Sequence, residues 1–330
     1  MKIKDKAVSI LVLSAMLALI LDSSASVSGC RKGLELCIRS VIPALFPFLV
    51  LSPILTGAMG FQLPQWLRKA LKLPNGSDSL LICGCLGGYP IGAQCVAEAA
   101  QRKQITRHDA TRLMTFCCNC GPGFVFGVCG AFFTMKWAAL GLWLCHIAGA
   151  LVMGWAIPGS TGQSSLSPFT KVSFMDAFSK GIKATAQICG WVILFRCLLE
   201  FLQRWILFRV SIPLQVIITG ALELTNGCFS LHQIQNEALR FLICEGMLCF
   251  GGLCVAMQTA SVSKNIPIEF YFLGKLGQTI VSTILAGLLW AAVYSNWGFA
   301  LGMGVLFIAI LVATKTISKI YSRNFRPVGV

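Results

Sequence analysis

The stretch from Leu80 to Ala100 reads LLICGCLGGYPIGAQCVAEAA, and its interpretation decides the fold. The stretch is apolar enough to enter a membrane, but a Gly-Gly-Tyr-Pro-Ile-Gly motif over 87–92 interrupts it. Glycine permits a tight turn, and proline lacks the amide proton needed to continue a helix. We therefore expect the backbone to turn within 80–100 instead of crossing as one helix.

Basic residues flank this stretch on both sides. Those before it are Arg68, Lys69 and Lys72, and those after it are Arg102, Lys103, Arg107 and Arg112. A full crossing would place one basic loop outside the cell, against the positive-inside rule. The sequence therefore predicts a re-entrant helical hairpin over 80–100, with both basic loops in the cytoplasm.

The composition of the whole chain is that of a membrane protein. Of the 330 residues, 56% are hydrophobic and only 12% are charged, and the mean hydropathy is +0.77. A soluble domain carries about 25% charged residues. The net charge of +15 comes from basic residues in short loops and at the termini. We expect a lipid bilayer and a small-molecule solute as partners and no binding of nucleic acid. The formation of a homo-oligomer is an open possibility.

Spanning a bilayer takes about 20 apolar residues per helix, and the chain offers about eight such stretches. After a first apolar run, Ala7 to Leu21, they are 36–58, 110–133, 137–157, 184–203, 238–260, 268–293 and 299–316. A further apolar stretch, 212–231, is interrupted and predicts a second re-entrant hairpin. The predicted fold is an all-α polytopic membrane protein in the bacterial cell membrane, with both termini in the cytoplasm.

The N-terminal segment 1–33 allows two interpretations. Three lysines precede the first apolar run, as in a secretory signal peptide, and Val27-Ser28-Gly29-Cys30 resembles a lipoprotein cleavage box. Because the rest of the chain spans the membrane repeatedly, an uncleaved membrane helix is favoured. Both interpretations place residue 30 outside.

The remaining segments form two halves with the same order of elements. Each half has a spanning helix, a broken hairpin and two further spans, and the halves enter from opposite faces. The predicted parts are a first repeat over 34–157, a cytoplasmic linker over 158–183, a second, inverted repeat over 184–293, and a last helix with a basic tail over 294–330. Secondary transporters with such inverted repeats bind substrate near the membrane midplane, where helices break.

Polar groups and helix breaks at membrane depth predict the solute pathway, because lipid cannot satisfy them. The predicted substrate-binding residues are Gly88, Tyr89, Pro90, Gly92 and Gln94 in the first hairpin, Asn119 and Gly121 after it, Glu223, Thr225 and Asn226 in the second hairpin, and Gln258 and Lys275. The alternatives are close helix packing for the glycines, interhelical hydrogen bonding for Asn119, and an interfacial position or a basic neighbour for Glu223. Lys275 could bind a substrate carboxylate or pair with Glu245.

Other polar residues are predicted to be structural. Arg196 and Glu200 are four residues apart on one helix and are expected to pair. His146 is expected to be a hydrogen-bonded packing residue. Most of the 16 cysteines lie in apolar stretches and are expected to pack. The dense group Cys117, Cys118 and Cys120 has no second Cys or His group at zinc-like spacing, so no metal and no cofactor are predicted.

Several motifs resemble the sporulation integral membrane protein YlbJ family, whose members carry a nucleoside-recognition (Gate) domain. They are Ile42-Pro43-Ala44-Leu45-Phe46-Pro47-Phe48, Gly88-Tyr89-Pro90-Ile91-Gly92-Ala93, Phe116-Cys117-Cys118-Asn119-Cys120-Gly121-Pro122, and Phe250-Gly251-Gly252-Leu253-Cys254-Val255 with Gln258. The resemblance implies a role in endospore formation, including movement of dipicolinic acid toward the forespore, and a distant kinship to nucleoside transporters. The chain departs from the family pattern at Gln94, where a lysine is common.

Three functions compete at this stage. The first is a carrier in which the two hairpins close around a small anion such as dipicolinate. The second is a nucleoside permease, and the third is a non-transporting assembly protein of the spore envelope. An enzyme is not expected, because no nucleophile and base occur in a recognisable arrangement and no Walker, HExxH or Gly-x-Ser-x-Gly motif is present.

Overall fold

A computed structural model of the protein describes residues 3–58, 62–157, 159, 171–295, 298, 301–306 and 308. Within these ranges the chain is helical and contains no β-strand. The helices of the first part are α1 (Ile3–Leu21), α2 (Ser23–Leu36), α3 (Ile42–Ala58), α4 (Gln65–Leu71), α5 (Asp78–Leu86), α6 (Ile91–Gln101), α7 (Arg107–Leu113), α8 (Pro122–Gly127) and α9 (Ala138–Ala156). Those of the second part are α10 (Phe174–Trp205), α11 (Ile212–Leu222), α12 (Leu224–Ser230), α13 (Glu237–Phe250), α14 (Gly252–Val262) and α15 (Ile268–Val293).

Five helical segments of the described ranges are long and apolar enough to cross a membrane. They are Ser23–Leu55, Ala138–Ala156, Phe174–Trp205, Glu237–Val262 and Ile268–Val293. Large apolar side chains such as Leu194, Leu273 and Ile280 are exposed on their outer faces, as contact with lipid requires. The all-α prediction is confirmed for the described residues, and the five helices agree with a polytopic membrane protein.

The structure differs from the predicted spans in three places. The span predicted over 110–133 is not continuous, since α7 ends at Leu113 and α8 begins only at Pro122. The span predicted over 36–58 is the second part of a longer segment that begins at Ser23, with a π-helical turn over Cys37–Val41. The last predicted span, 299–316, and the basic tail lie largely outside the described residues.

The N-terminus of α10 lies inside the segment predicted as a linker. Ser173 caps this helix by accepting a hydrogen bond from the amide of Asp176 at 3.1 Å and donating one to its carboxylate at 2.8 Å. This reciprocal pattern of a helix start stabilises the first turn. The last ten residues of the predicted linker 158–183 are therefore helical.

Helix α10 packs antiparallel to α2 and α3 through small residues. A Cβ atom on Gly29 would lie 2.7 Å from Cα of Cys197, and one on Gly33 would lie 2.8 Å from Cα of Ile193. The sequence numbers rise on one helix as they fall on the other, which defines the antiparallel direction. Close backbone approach at small residues is the usual way in which membrane helices associate.

The ion pair predicted on α10 is present. Arg196 Nη2 lies 2.7 Å from Glu200 Oε2, and Lys32 Nζ lies 2.7 Å from Glu200 Oε1. Ser28 also donates to Glu200 at 3.1 Å. The predicted pairing of Arg196 with Glu200 is confirmed, and Glu200 also joins α10 to α2.

Helices α9 and α15 form a second antiparallel pair, and α13 packs against both. A Cβ atom on Gly149 would lie 1.9 Å from Oγ of Ser282, and one on Gly141 would lie 2.9 Å from a methyl carbon of Leu289. Their contact again depends on small residues, and it holds α15 firmly beside α9.

Two helical hairpins lie between these long pairs. In the first, α5 and α6 pack on each other and the backbone turns over 87–90. In the second, α11 and α12 pack so closely that a Cβ atom on Gly227 would lie 2.2 Å from Cα of Gly220. Each hairpin is followed by an interrupted helix, α7–α8 in the first case and α13–α14 in the second.

The loops predicted to share the cytoplasmic side lie at one end of the molecule. Lys180 Nζ bonds the Glu98 carboxylate at 3.0 Å, so α10 begins beside the end of the first hairpin. Basic residues line two surface grooves at this end, Arg102, Lys171, Lys180 and Lys183 in one and Arg107 and Lys264 in the other. Their grouping at one end agrees with the charge pattern of the sequence.

Candidate functional site

The tip of the first hairpin is built from residues with little room for side chains. Gly88 has a φ of +85°, a left-handed conformation that glycine adopts without strain. A Cβ atom on Gly92 would lie 1.8 Å from the carbonyl oxygen of Cys117. These constraints press the tip against the segment between α7 and α8, and they place Tyr89 in the protein interior.

Tyr89 connects the first hairpin to the second half of the chain. Its hydroxyl donates to the carbonyl oxygens of Leu248 and Cys249, at 3.1 and 3.2 Å. These carbonyls belong to the last turn of α13, directly before the break at Gly251, where φ is +75°. The hairpin tip and the helix break therefore hold each other in position.

Lys275 lies beside Tyr89 and is completely buried. Its ammonium group donates to Tyr89 Oη at 3.2 Å, to Gln278 Oε1 at 2.6 Å and to the carbonyl of Cys118. Three acceptors satisfy the three N–H donors of a lysine, which makes the buried charge tolerable. In the described part of the chain the alternative ion pair with Glu245 is not formed.

A chain of amide groups extends from Lys275 toward α9. Gln278 Nε2 donates to Asn119 Oδ1 at 2.9 Å and to the carbonyl of His146 at 3.1 Å. Asn119 Nδ2 donates to the carbonyl of Phe116 at 2.8 Å. Asn119 thus makes a hydrogen bond to another helix, α15, which was one of its two predicted roles. Its bonds hold the non-helical segment between α7 and α8 in place.

The tip of the second hairpin is organised by Glu223. Its carboxylate accepts hydrogen bonds from the amides of Thr225 and Asn226, at 3.1 and 2.7 Å, and from Asn226 Nδ2 at 2.6 Å. Glu223 is therefore the N-cap of α12. Glu223 is 2% exposed, and its carboxylate is held by donors of its own hairpin; among the described residues no basic side chain pairs with it.

Both tips border one central cavity of about 40 Å³. Tyr89 lines it from the first hairpin, and Glu223 and Thr225 line it from the second. The interrupted helices contribute Gly121 and Gln258, and the rest of the lining is mostly apolar. Room for one water molecule takes about 10–15 Å³ of such space, so the cavity has room for a few water molecules and not for a nucleoside or a dicarboxylate.

A second polar chain lies behind Tyr89. His146 Nε2 accepts from the amide of Cys120 at 3.0 Å, which leaves the ring proton on Nδ1, 3.1 Å from Cys249 Sγ. The Cys249 thiol donates to Glu245 Oε1 at 3.2 Å. Glu245 is 0% exposed, and its Oε2 has no hydrogen-bond partner among the described residues. The prediction that His146 is a hydrogen-bonded packing residue agrees with these contacts.

The predicted site residues fall into three groups. Those on the cavity are Tyr89, Gly121, Glu223, Thr225 and Gln258. Those in the supporting framework are Gly88, Pro90, Gly92, Asn119, Asn226 and Lys275. Gln94 lies apart from both, because its amide bonds Glu98 at 3.1 Å on α6.

Sequence reasoning missed several residues of this region. Gln278, which links Lys275 to Asn119, stands out in the sequence as a polar group one helical turn from Lys275, but it was not placed among the site residues. Cys120 lines the cavity and bonds His146 through its amide. Nothing in the pattern of an apolar segment distinguishes such a cysteine from a packing residue.

No family model matches the chain, and no solved structure matches it. Among curated proteins, it is 25% identical over 326 residues to the "Sporulation integral membrane protein YlbJ" of Bacillus subtilis (strain 168). The alignment covers 83% of this chain and 79% of that protein. Together with the five apolar helices, this similarity places the chain in a membrane as an integral protein. It also supports the membership of this chain in the YlbJ family, which its motifs resemble.

Proposed function

We propose that the chain is a sporulation-associated membrane transporter that moves a small polar or anionic solute between its two hairpins. The observation that carries this proposal is that both hairpin tips and both interrupted helices line one central cavity. Such breaks expose backbone polar groups, which survive at membrane depth only inside protein or beside a wet cavity.

In this proposal the two halves are inverted repeats with re-entrant hairpins. Helices α2–α3 correspond to α10, α5–α6 to α11–α12, α7–α8 to α13–α14, and α9 to α15. The long corresponding helices pack antiparallel, which is the relation expected of halves that enter from opposite faces. The proposal includes about eight spans and cytoplasmic termini, as the charge pattern of the loops favours.

The small size of the cavity bears on how a solute would pass. At about 40 Å³ it holds no solute of the proposed classes, so transport requires the tips to separate. Tyr89 on the first tip and Glu223 and Thr225 on the second are the polar side chains that the tips present to the cavity. Movement of one hairpin at a time would open the cavity to one face and then to the other.

Dipicolinate is the first solute to test, because the relative is a sporulation protein. Its carboxylates would contact Lys275 once Tyr89 moves. They would also contact the backbone amides at the N-terminus of α6, which has no side-chain cap. In a spore former, the protein would act in the mother-cell or forespore membrane.

A nucleoside is the second candidate, and the cavity lining favours it. Among the described lining residues the only charged side chain is the acidic Glu223, while Thr225, Gln258 and the Tyr89 hydroxyl are neutral. A neutral polar solute could form hydrogen bonds with these groups and would not need a cationic side chain in the cavity lining.

Uptake into liposomes tests both candidates. Purified protein should move labelled dipicolinate, or labelled uridine if the second candidate holds, under at least one imposed ion gradient. Thr225→Val should reduce uptake, whereas Thr134→Val, an exposed threonine of a loop, should not. Absence of uptake of both solutes under several gradients would favour a non-transporting assembly protein.

A further inference from the structure

Three cysteines from distant parts of the chain meet beside the second hairpin. Cys129 lies in the short 3₁₀ turn after α8, Cys228 in α12 and Cys244 in α13. All three are 0% exposed, and their sulfur atoms lie within 4.8 Å of one another. Cys129 Sγ and Cys228 Sγ are 3.6 Å apart. We propose that these thiols bind a thiophilic metal ion such as Zn²⁺ or Cu⁺.

The distances suit such an ion. Two thiolates on a tetrahedral zinc ion, each about 2.3 Å from the metal, stand about 3.8 Å apart. The Cys129–Cys228 separation of 3.6 Å is close to this value, so a bound ion requires small side-chain shifts. Soft sulfur ligands select Zn²⁺ and Cu⁺ over hard ions such as Mg²⁺ and Ca²⁺.

The surroundings can also bear the charge. Binding converts the thiols to thiolates and releases their protons to solvent, and three thiolates on a divalent ion leave one negative charge. Arg240 lies one helical turn before Cys244, and its guanidinium donates to the carbonyl of Phe132 at 2.8 Å. Phe132 ends the turn that begins at Cys129. This cation therefore holds the segment that carries one ligand.

A second group of ligand type, His146, Glu245 and Cys249, is less suited to a metal ion. The Cys120 amide donates to His146 Nε2, so Nδ1, the nitrogen that faces Cys249, carries the ring proton. A protonated nitrogen has no lone pair for a metal. The three-cysteine group has no such conflict.

The cysteines that are dense in the sequence form no site of this kind. Cys118 Sγ contacts the sulfur of Met114 at 3.9 Å, and Cys120 Sγ contacts the carbonyl of Gly121 at 4.0 Å. By contrast, Cys129 lies about a hundred residues before Cys228, and a loop separates Cys228 from Cys244. Only the folded structure brings these three cysteines together.

A metal ion at this site would join three parts of the protein. Cys129 belongs to the first half, Cys228 to the second hairpin and Cys244 to the interrupted helix that follows it. The ion would therefore hold the second hairpin against both neighbours. This site stands independently of the transport proposal, because metal binding can be measured on the protein at rest.

Titration of full-length, reduced and chelator-treated protein with Cd²⁺ tests the site. Thiolate-to-cadmium absorption should saturate at one ion per chain, and elemental analysis should give the same ratio. Cys129→Ser and Cys228→Ser should each abolish stoichiometric binding. Cys145→Ser, which removes a buried thiol outside both groups, should bind as the unmodified protein does.

If a serine variant does not fold, the site can be tested on the unmodified protein by measuring how Cd²⁺ protects its cysteines from alkylation. During mild heating of the unmodified protein, Cd²⁺ should slow alkylation of Cys129, Cys228 and Cys244 together and leave Cys145 unaffected. Absence of saturable Cd²⁺ binding, its persistence in folded Cys228→Ser protein, or protection that does not select these three cysteines would overturn the proposal.

Discussion

The hydroxyl of Tyr89 lies 3.1 Å from the carbonyl oxygen of Leu248, 159 residues further along the chain. This hydrogen bond joins the tip of the first hairpin to the interrupted helix of the second half. The same hydroxyl accepts from Lys275 at 3.2 Å. A single phenol group therefore couples the hairpin, the helix break and the buried ammonium.

Tyr89→Phe removes this coupling and keeps the aromatic ring. The carbonyl of Leu248 loses a donor and the Lys275 ammonium loses an acceptor, both in the interior. We expect the free energy of unfolding to fall by about 1 to 3 kcal/mol and solute uptake to fall with it. Thermal unfolding in detergent and liposome uptake measure the two effects. Tyr294→Phe, at a half-exposed tyrosine, is the control, and equal stability of both variants would contradict this role of Tyr89.

Lys275→Met tests whether the buried ammonium serves the solute as well as the fold. The substitution leaves the Gln278 and Cys118 oxygens without a donor, at about 1 to 3 kcal/mol for each unsatisfied acceptor. If Lys275 binds a solute carboxylate, dipicolinate uptake should be lost more completely than uridine uptake. The exposed Lys264→Met should change neither. Equal loss of both solutes would show a structural lysine only.

Gly92→Ala tests the close approach of the first hairpin to the unwound segment. The new Cβ would lie 1.8 Å from the backbone oxygen of Cys117, and backbone cannot rotate away. We expect destabilisation of about 3 kcal/mol, the upper end of the usual cost of overpacking, visible as loss of folded protein in size-exclusion chromatography. Gly190→Ala, on α10 with open space around it, should fold normally. A well-folded Gly92→Ala protein would show that the hairpin packs differently.

Glu245→Gln examines the buried carboxyl group at the end of the His146–Cys249 chain. Because an ionised Glu245 would be an uncompensated buried charge, we expect a neutral carboxyl group, which glutamine replaces at nearly the same size. Unfolding free energy should therefore change by less than about 1 kcal/mol. If the proton of Glu245 moves with the solute, uptake driven by a pH gradient should be lost while counterflow exchange persists. Gradient-driven uptake unchanged from the unmodified protein would exclude Glu245 as the proton carrier.

The sequence allowed the hairpin regions to be located, since Gly-Gly-Tyr-Pro-Ile-Gly interrupts an apolar stretch between two basic loops. The ion pair of Arg196 and Glu200 could also be predicted, because the two residues lie on one helix at a spacing of four. These features depend on local conformation and on charge.

Contacts between residues far apart in the sequence could not be predicted in this way. Nothing near Tyr89 in the sequence indicates that its hydroxyl bonds Leu248, or that Cys129 meets Cys228. The span predicted over 110–133 is mostly apolar, yet its helix is interrupted between Leu113, where α7 ends, and Pro122, where α8 begins. Hydropathy measures affinity for lipid and does not report where a helix breaks inside the protein.

Labelling of introduced cysteines tests whether the two hairpins enter the bilayer from opposite faces. All sixteen native cysteines lie in the described part of the chain, where Cys30 is the one exposed thiol, so Cys30→Ser gives a background of low reactivity. Single cysteines at Asn75, Arg102 and His232 are then treated with a membrane-impermeant thiol reagent in oriented vesicles. We expect positions 75 and 102 to react from one face and position 232 to react from the other. Reaction of positions 75 and 102 from different faces would contradict it.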